Sequence, residues 1–134
     1  MIYHRDIQIE FNHCDPAGIV FYPRYFEMIN SVCENFFKDV AGRSYASMIA
    51  TGQGVPTARV ETSFHIPSRL GEVLDFQLKI ARLGTSSITF EITAHKGGNR
   101  LTCLLTLVWI SPEARPLPWP DDMRARLAAF MEAQ

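Results

Sequence analysis

A chain of 134 residues that is 47% hydrophobic and 20% charged has the material for one packed globular domain. Thirteen Lys and Arg against fourteen Asp and Glu leave a net charge of −1, which argues against a surface that binds nucleic acid through charge. No secretory signal precedes the first strand pattern, no stretch is apolar long enough to span a bilayer, and Cys14, Cys33 and Cys103 lack zinc or CxxC spacing; free thiols in the cytoplasm, with no membrane and no metal, are the expectation.

Ile7, Ile9 and Phe11 alternate with Gln8 and Glu10, which predicts a strand within residues 3–12. Asp15-Pro16-Ala17-Gly18 is a turn signal. From Pro23 the period changes. Tyr25, Phe26, Ile29, Val32, Cys33, Phe36, Phe37 and Val40 recur at steps of three and four, the pattern of a helix with a broad aromatic face that other structure must wrap. Pro23 suits its first turn and Gly42 its end. Residues 44–54 read as a short helical turn and a glycine-containing loop.

The remainder reads mostly as strand. Val60, Thr62, Phe64 and Ile66 alternate, and VLDFQLKIARL (73–83), SSITFEITAH (86–95) and RLTCLLTLVWI (100–110) follow with short turn signals between them, so the last three predict an antiparallel meander. PLPWP (116–120) reads as a stiff linker, and DDMRARLAAFMEAQ, with acids at its start, as a terminal helix. The predicted fold is α+β: one domain over 1–134, with a long central helix wrapped by a curved antiparallel sheet of about five strands, whose exposed edges invite a second copy.

Asp15 stands just before the predicted helix start, where free N–H groups and the helix dipole favour negative charge on a ligand oxygen. A carboxylate beside such donors can attack a carbonyl or activate water. An Asp-Pro turn whose acid merely caps main-chain N–H groups is the other reading, and the residues alone leave both open.

The run Gln8-Ile9, then Cys14-Asp15, Gly18-Ile19-Val20-Phe21-Tyr22 and Tyr25 resembles the signature of the 4-hydroxybenzoyl-CoA thioesterase family over about the first thirty residues, and the order of elements beyond agrees. The resemblance implies a hot-dog fold and hydrolysis of an aryl-CoA, of benzoyl or hydroxybenzoyl type, or of a short acyl-CoA to the acid and free coenzyme A. It implies Asp15 as the catalytic carboxylate and the Tyr22 backbone N–H as the donor that polarises the thioester carbonyl. Gly18, Phe21, Tyr25 and Asn30 would line the substrate. No cofactor is implied, since coenzyme A is part of the substrate. The family assembles as dimers and often tetramers, which implies a homo-oligomer with the active site at a subunit interface. The alternative is a non-catalytic hot-dog module that binds acyl-CoA or an acyl carrier protein; the Asp15 to Tyr25 constellation favours the enzyme, because a binder has no need of the acid.

Asn30 departs from the hydroxybenzoyl enzyme, where the matching helix position is a carboxylate that contacts the ring hydroxyl. An amide there can donate as well as accept; the ordinary reading is a polar residue facing solvent or a subunit contact. Arg82, Lys96 and Arg100 are candidates for the coenzyme phosphates but read first as solvated surface charges. Cys14 reads as a small buried side chain rather than a nucleophile, His13 as a neighbour of the pocket, and Glu27 or Glu34 as fallback carboxylates on the helix.

Overall fold

The three- and four-residue spacing after Pro23 produces the helix it implies. In the computed structural model, which describes residues 2–134, helix α1 spans Pro23–Phe36, and its last turn widens to π geometry over Phe37–Ala41. Pro23 opens it, where a missing N–H costs nothing, and Gly42 ends it in the left-handed conformation at φ 79°. Tyr25, Met28, Ile29, Val32, Cys33 and Phe36 form its buried face.

That face is covered by one antiparallel sheet. Strands β1 (Tyr3–Gln8), β2 (Thr57–Phe64), β3 (Val73–Leu83), β4 (Ser87–His95) and β5 (Asn99–Val108) lie in the order β1-β3-β4-β5-β2. The meander β3-β4-β5 forms its centre, and β1 and β2 form its edges. Period-two alternation turns Phe76, Leu78, Ile80, Ile88, Phe90, Ile92, Cys103 and Leu105 inward, all buried. Helix α2 (Tyr45–Ala50) is capped by the Ser44 hydroxyl, which accepts the Ser47 N–H at 3.1 Å. Helix α3 (Asp121–Ala133) closes the chain against the end of α1.

Phe36 is the hub of this packing. Its ring meets Tyr3, Phe37, Phe90 and Phe130 edge-on, at centroid distances of 5.1 to 5.8 Å, and so joins β1, β4, α1 and α3.

One expectation changes. Residues 116–120 are not a spacer. Trp119 is buried, donates its N–H to the Thr85 carbonyl and its indole N–H to that of Ser87, and lies against Phe37 and Trp109. The prolines stiffen a strap that an aromatic side chain anchors. The apolar residues of β2 also stay partly open: Val60 and Phe64 are each 46% exposed, because β2 is an edge strand and little of this chain packs over it.

Removing the hub ring leaves a cavity that four neighbours cannot fill. Phe36→Ala is expected to cost about 3–5 kcal/mol, measured by urea unfolding, whereas Phe36→Leu should cost markedly less. Equal, small losses in both would show that Phe36 is not the hub.

Candidate active site

Between β1 and α1 the chain makes a 3-10 turn at Phe11–His13 and then a small loop, closed where Cys14 and Val20 bridge as antiparallel partners. Within it the Asp15 N–H donates to the Ile19 carbonyl at 3.0 Å, and the Gly18 N–H to the Asp15 carbonyl at 2.9 Å. One carboxylate oxygen of Asp15, Oδ1, accepts the Ala17 N–H at 2.9 Å. Asp15 is therefore a turn acid in fact. Its other oxygen, Oδ2, has no partner among the described residues, and the side chain is only half-buried. Gly18 sits at φ 78°, and nothing approaches within 4 Å of where a Cβ would stand, so the main chain there is open to close approach.

The loop feeds directly into α1. The Arg24 and Tyr25 N–H groups turn back to the Phe21 and Tyr22 carbonyls at 2.9 and 3.1 Å, and Pro23 has no N–H. The Tyr22 N–H, by contrast, has no acceptor among the described residues. A donor without a partner at the positive end of a 14-residue helix suits a developing oxyanion.

The predicted site residues other than Gly18 line three neighbouring depressions. Asp15 and Phe21 share one with Asn12, Cys14, Pro16 and Arg24. Tyr22 and Tyr25 line a groove of about 300 Å³ with Phe64, His65 and Ile66. Asn30 lines the largest, about 390 Å³, with Phe26, Cys33, Tyr45, Val55 and Val60. Phe64 lies at the junction, stacked on Tyr25 at 5.5 Å and edge-on to Tyr22 at 6.3 Å and Phe26 at 6.4 Å. The last two depressions thus follow one seam between α1 and β2. Sequence reasoning singled out neither Phe64 nor Tyr45; the inward alternation of Val60, Thr62 and Phe64, facing the helix, was the available signal.

A model of the thioesterase superfamily matches residues 17–103, about two thirds of the chain. The chain belongs to the thioesterase superfamily. It is a thioester hydrolase with a hot-dog fold. The match begins two residues after Asp15 and covers α1, with Tyr22, Tyr25 and Asn30. Solved structures agree on the fold. A Staphylococcus aureus protein crystallised in complex with CoA superposes with a TM-score of 0.93 at 15% identity, covering 100% of this chain and 86% of that one. A 1,4-dihydroxy-2-naphthoyl-CoA thioesterase from Synechocystis gives 0.87 at 17% identity, with 96% of both chains covered. A gentisyl-coenzyme A thioesterase gives 0.82 at 24% identity, over 92% of this chain and 99% of that one. No curated protein matches the sequence significantly.

Around the candidate centre of this thioesterase several other polar residues are paired or face solvent. The Cys14 thiol points at the Glu10 carbonyl, 3.6 Å away. His13 Nδ1 accepts the Glu10 N–H at 2.8 Å, so the neutral ring carries its proton on Nε2. Glu27 is exposed and bidentate to Arg24, at 3.0 and 3.2 Å, and Glu34 is also exposed. Arg100 corrects its expectation outright: it is 8% exposed and paired with Glu72 at 3.0 Å, so it is neither a solvated charge nor free for a coenzyme phosphate.

The Arg100 guanidinium, and then the Arg69 N–H, hold the Glu72 carboxyl at a pKa of about 2, down from 4.5, against the opposing effect of burial. A carboxyl depressed by folding stabilises the fold fully above its unfolded pKa, and that contribution is lost as pH falls toward the folded value. The pair is therefore expected to support stability above about pH 4.5 and to lose that contribution progressively down to about pH 2. Glu72→Gln should flatten the acid limb of a plot of unfolding midpoint against pH; an unchanged acid limb would contradict the assignment.

Proposed function

We propose that this thioesterase hydrolyses acyl-CoA thioesters to the free acid and coenzyme A, with an aryl group of benzoyl or hydroxybenzoyl type, or a short acyl group, as the acyl part. The observation that carries this reading is the pairing of an unengaged Asp15 Oδ2 with an unengaged Tyr22 N–H on one short segment. The carbonyl oxygen would sit on the Tyr22 N–H, where the helix dipole stabilises the charge that develops on it. Asp15 then has two routes. It attacks the carbonyl carbon, expelling the coenzyme A thiolate and leaving a mixed anhydride that water opens. Or it takes a proton from water as that water attacks. Thiolate is a good leaving group in both, so no dedicated acid is needed. Solvent oxygen in the Asp15 carboxylate after one turnover marks the first route.

The lining of the largest cavity bears on the acyl group. Asn30 and Thr57 are neutral, burial pushes the Tyr45 phenol and the Cys33 thiol well above their ordinary pKa values, and no lysine, arginine, aspartate or glutamate is among the lining side chains. An acyl group with a terminal carboxylate would have no counter-charge there. The naphthoyl and gentisyl thioesters named for two of the structural neighbours support the aryl class.

Helix geometry adds a constraint. Eight residues at about 1.5 Å each put Asn30 about 12 Å along α1 from Tyr22. A substituent on a single ring does not reach that far from its own carbonyl. An aryl group held at Tyr22 would therefore meet an Asn30 only from a second protomer. The exposed Tyr22, Val60, Phe64 and Ile66, beside the unpaired edge of β2, support such a homodimer with the site at its interface, whether or not dimers pair further into a tetramer. The seam also favours one other reading, a linear acyl chain of medium length lying along a single protomer.

Thiol release over a panel of benzoyl-, hydroxybenzoyl-, succinyl- and graded linear acyl-CoA thioesters tests both. Aryl or short neutral substrates should lead, with succinyl-CoA poor; a peak at medium linear chains would select the single-protomer reading. Asp15→Asn should lower kcat by about 100-fold or more while still binding substrate. Wild-type protein that binds thioesters but turns over none would sink the enzyme reading, and near-normal turnover in Asp15→Asn would remove Asp15 from the chemistry.

A further inference from the structure

The loop that carries Asp15 is closed by its own hydrogen bonds but has no buried side chain to seat it on the core. No residue from Glu10 to Ile19 is buried, and Phe11 is 83% exposed; the first buried side chain is Val20. Its position rests on hydrogen bonds to a second loop, Pro67 to Glu72. The Val20 N–H donates to the Ser68 carbonyl at 2.9 Å, the Leu70 N–H to the Gly18 carbonyl at 3.3 Å, and Ile19 and Arg69 form an antiparallel bridge.

This second loop is tied to Ile9 by two main-chain hydrogen bonds, Ile9 N–H to the Glu72 carbonyl at 2.7 Å and Gly71 N–H to the Ile9 carbonyl at 2.8 Å, and its other end is held by one side chain at the start of β5. Arg100, on β5, donates through Nη1 to the Pro67 carbonyl at 3.1 Å, the Ser68 hydroxyl at 3.2 Å and Glu72 Oε1 at 3.0 Å. Nη2 reaches Glu72 Oε2 at 3.0 Å, and Nε the Lys96 carbonyl at 2.9 Å. Glu72 Oε1 also accepts the Arg69 N–H at 2.7 Å. Ser68 is fully buried and Arg100 nearly so. A planar fork of five donors meets three points of the loop and the β4–β5 turn at once, which an ammonium group cannot reproduce.

We infer that Arg100 and Glu72 are positioning residues for the hydrolysis: they clamp the 67–72 loop, and that loop fixes Asp15 relative to the start of α1. The inference rests on the reading of Asp15 as the working carboxylate. The chain of contacts is continuous, from Arg100 to Ser68 and Glu72, across the Ser68 and Leu70 main chain to Val20 and Gly18, and through the Gly18 N–H to the Asp15 carbonyl. A shift of even an ångström at the carboxylate is costly, because attack needs aligned atoms at near contact.

The test compares Arg100→Met, Arg100→Lys and Glu72→Gln with Leu127→Ala, a control that opens the α3 core. Turnover is read on the best wild-type thioester, amide hydrogen exchange at Val20 and Leu70, and melting temperature throughout. Arg100→Met should lower kcat by about tenfold or more with KM within about twofold, and exchange at Val20 and Leu70 should accelerate about tenfold or more. Arg100→Lys, which restores charge without the fork, should recover kcat only in part. Leu127→Ala should keep kcat within about twofold at an equal or larger loss of melting temperature. If Arg100→Met does not fold, Glu72→Gln, which keeps the size and one acceptor, carries the same comparison. Unchanged exchange at both amides overturns the clamp. Turnover that tracks melting temperature across all four variants overturns its link to Asp15. If wild type releases thiol from no thioester, the proposed function falls, and the exchange rates still decide the clamp.

Discussion

The burial of one face of α1 against the sheet is the constraint from which the rest of this structure follows. Burying a large apolar side chain is worth about 1.5–3 kcal/mol, and α1 with its π turn commits Tyr25, Met28, Ile29, Val32, Cys33, Phe36 and Phe37 at once. A helix seated at so many points cannot slide or roll without opening the core, since packed interiors leave no slack. Its first turn is therefore fixed in space. Pro23 then shapes that turn, because it has no N–H while Arg24 and Tyr25 fold theirs back, leaving the Tyr22 N–H without an acceptor among the described residues. The rigidity of the hydrophobic core is transmitted to a single main-chain N–H.

The same packing leaves one side unfinished. The meander β3-β4-β5 packs on the buried face of the helix, but β2 joins the sheet only through β5 and faces α1 across a seam rather than a filled interior. Phe64 bridges that seam by stacking on Tyr25, and around it lie Tyr22, Val60 and Ile66, all largely exposed. Aromatic surface that is neither core nor ordinary exterior is what a ligand groove or a second protomer would cover. Stability and recognition thus divide along the helix. The end near Phe36 is closed by β1, β4 and α3, and the end near Tyr22 is open.

How much of this could be read in advance depended on the range of the interaction. Alternation in β3, β4 and β5, the helical spacing after Pro23 and the stop at Gly42 are all set by neighbours within a few residues, and each was legible. Family and fold were legible through the spacing from Asp15 to Tyr25. Trp119 and Arg100 were not. A tryptophan among prolines reads as a linker until Phe37 and Trp109 are known to lie beneath it. An arginine in a strand reads as solvated until its carboxylate, 28 positions away, comes within 3.0 Å. The cavity around Asn30 was half legible: the helix supplied Phe26, Ile29 and Cys33 at their expected spacing, but Tyr45, Val55 and Leu105 converge on it from three separate segments.

At Asp15 a turn role does not exclude a chemical one. Oδ1 accepts the Ala17 N–H, and this satisfies the turn. An asparagine would serve that purpose as well, for its amide oxygen accepts in the same geometry and its backbone preferences are similar. What the acid adds is a second anionic oxygen, and that is the oxygen the protein leaves unengaged. Anchoring the first oxygen restrains the side-chain torsions and so aims the second, which lowers the entropic cost of reaching a productive geometry. The bond to Ala17, often taken as grounds to dismiss a turn acid, is the preorganisation that the proposed role of Asp15 would require.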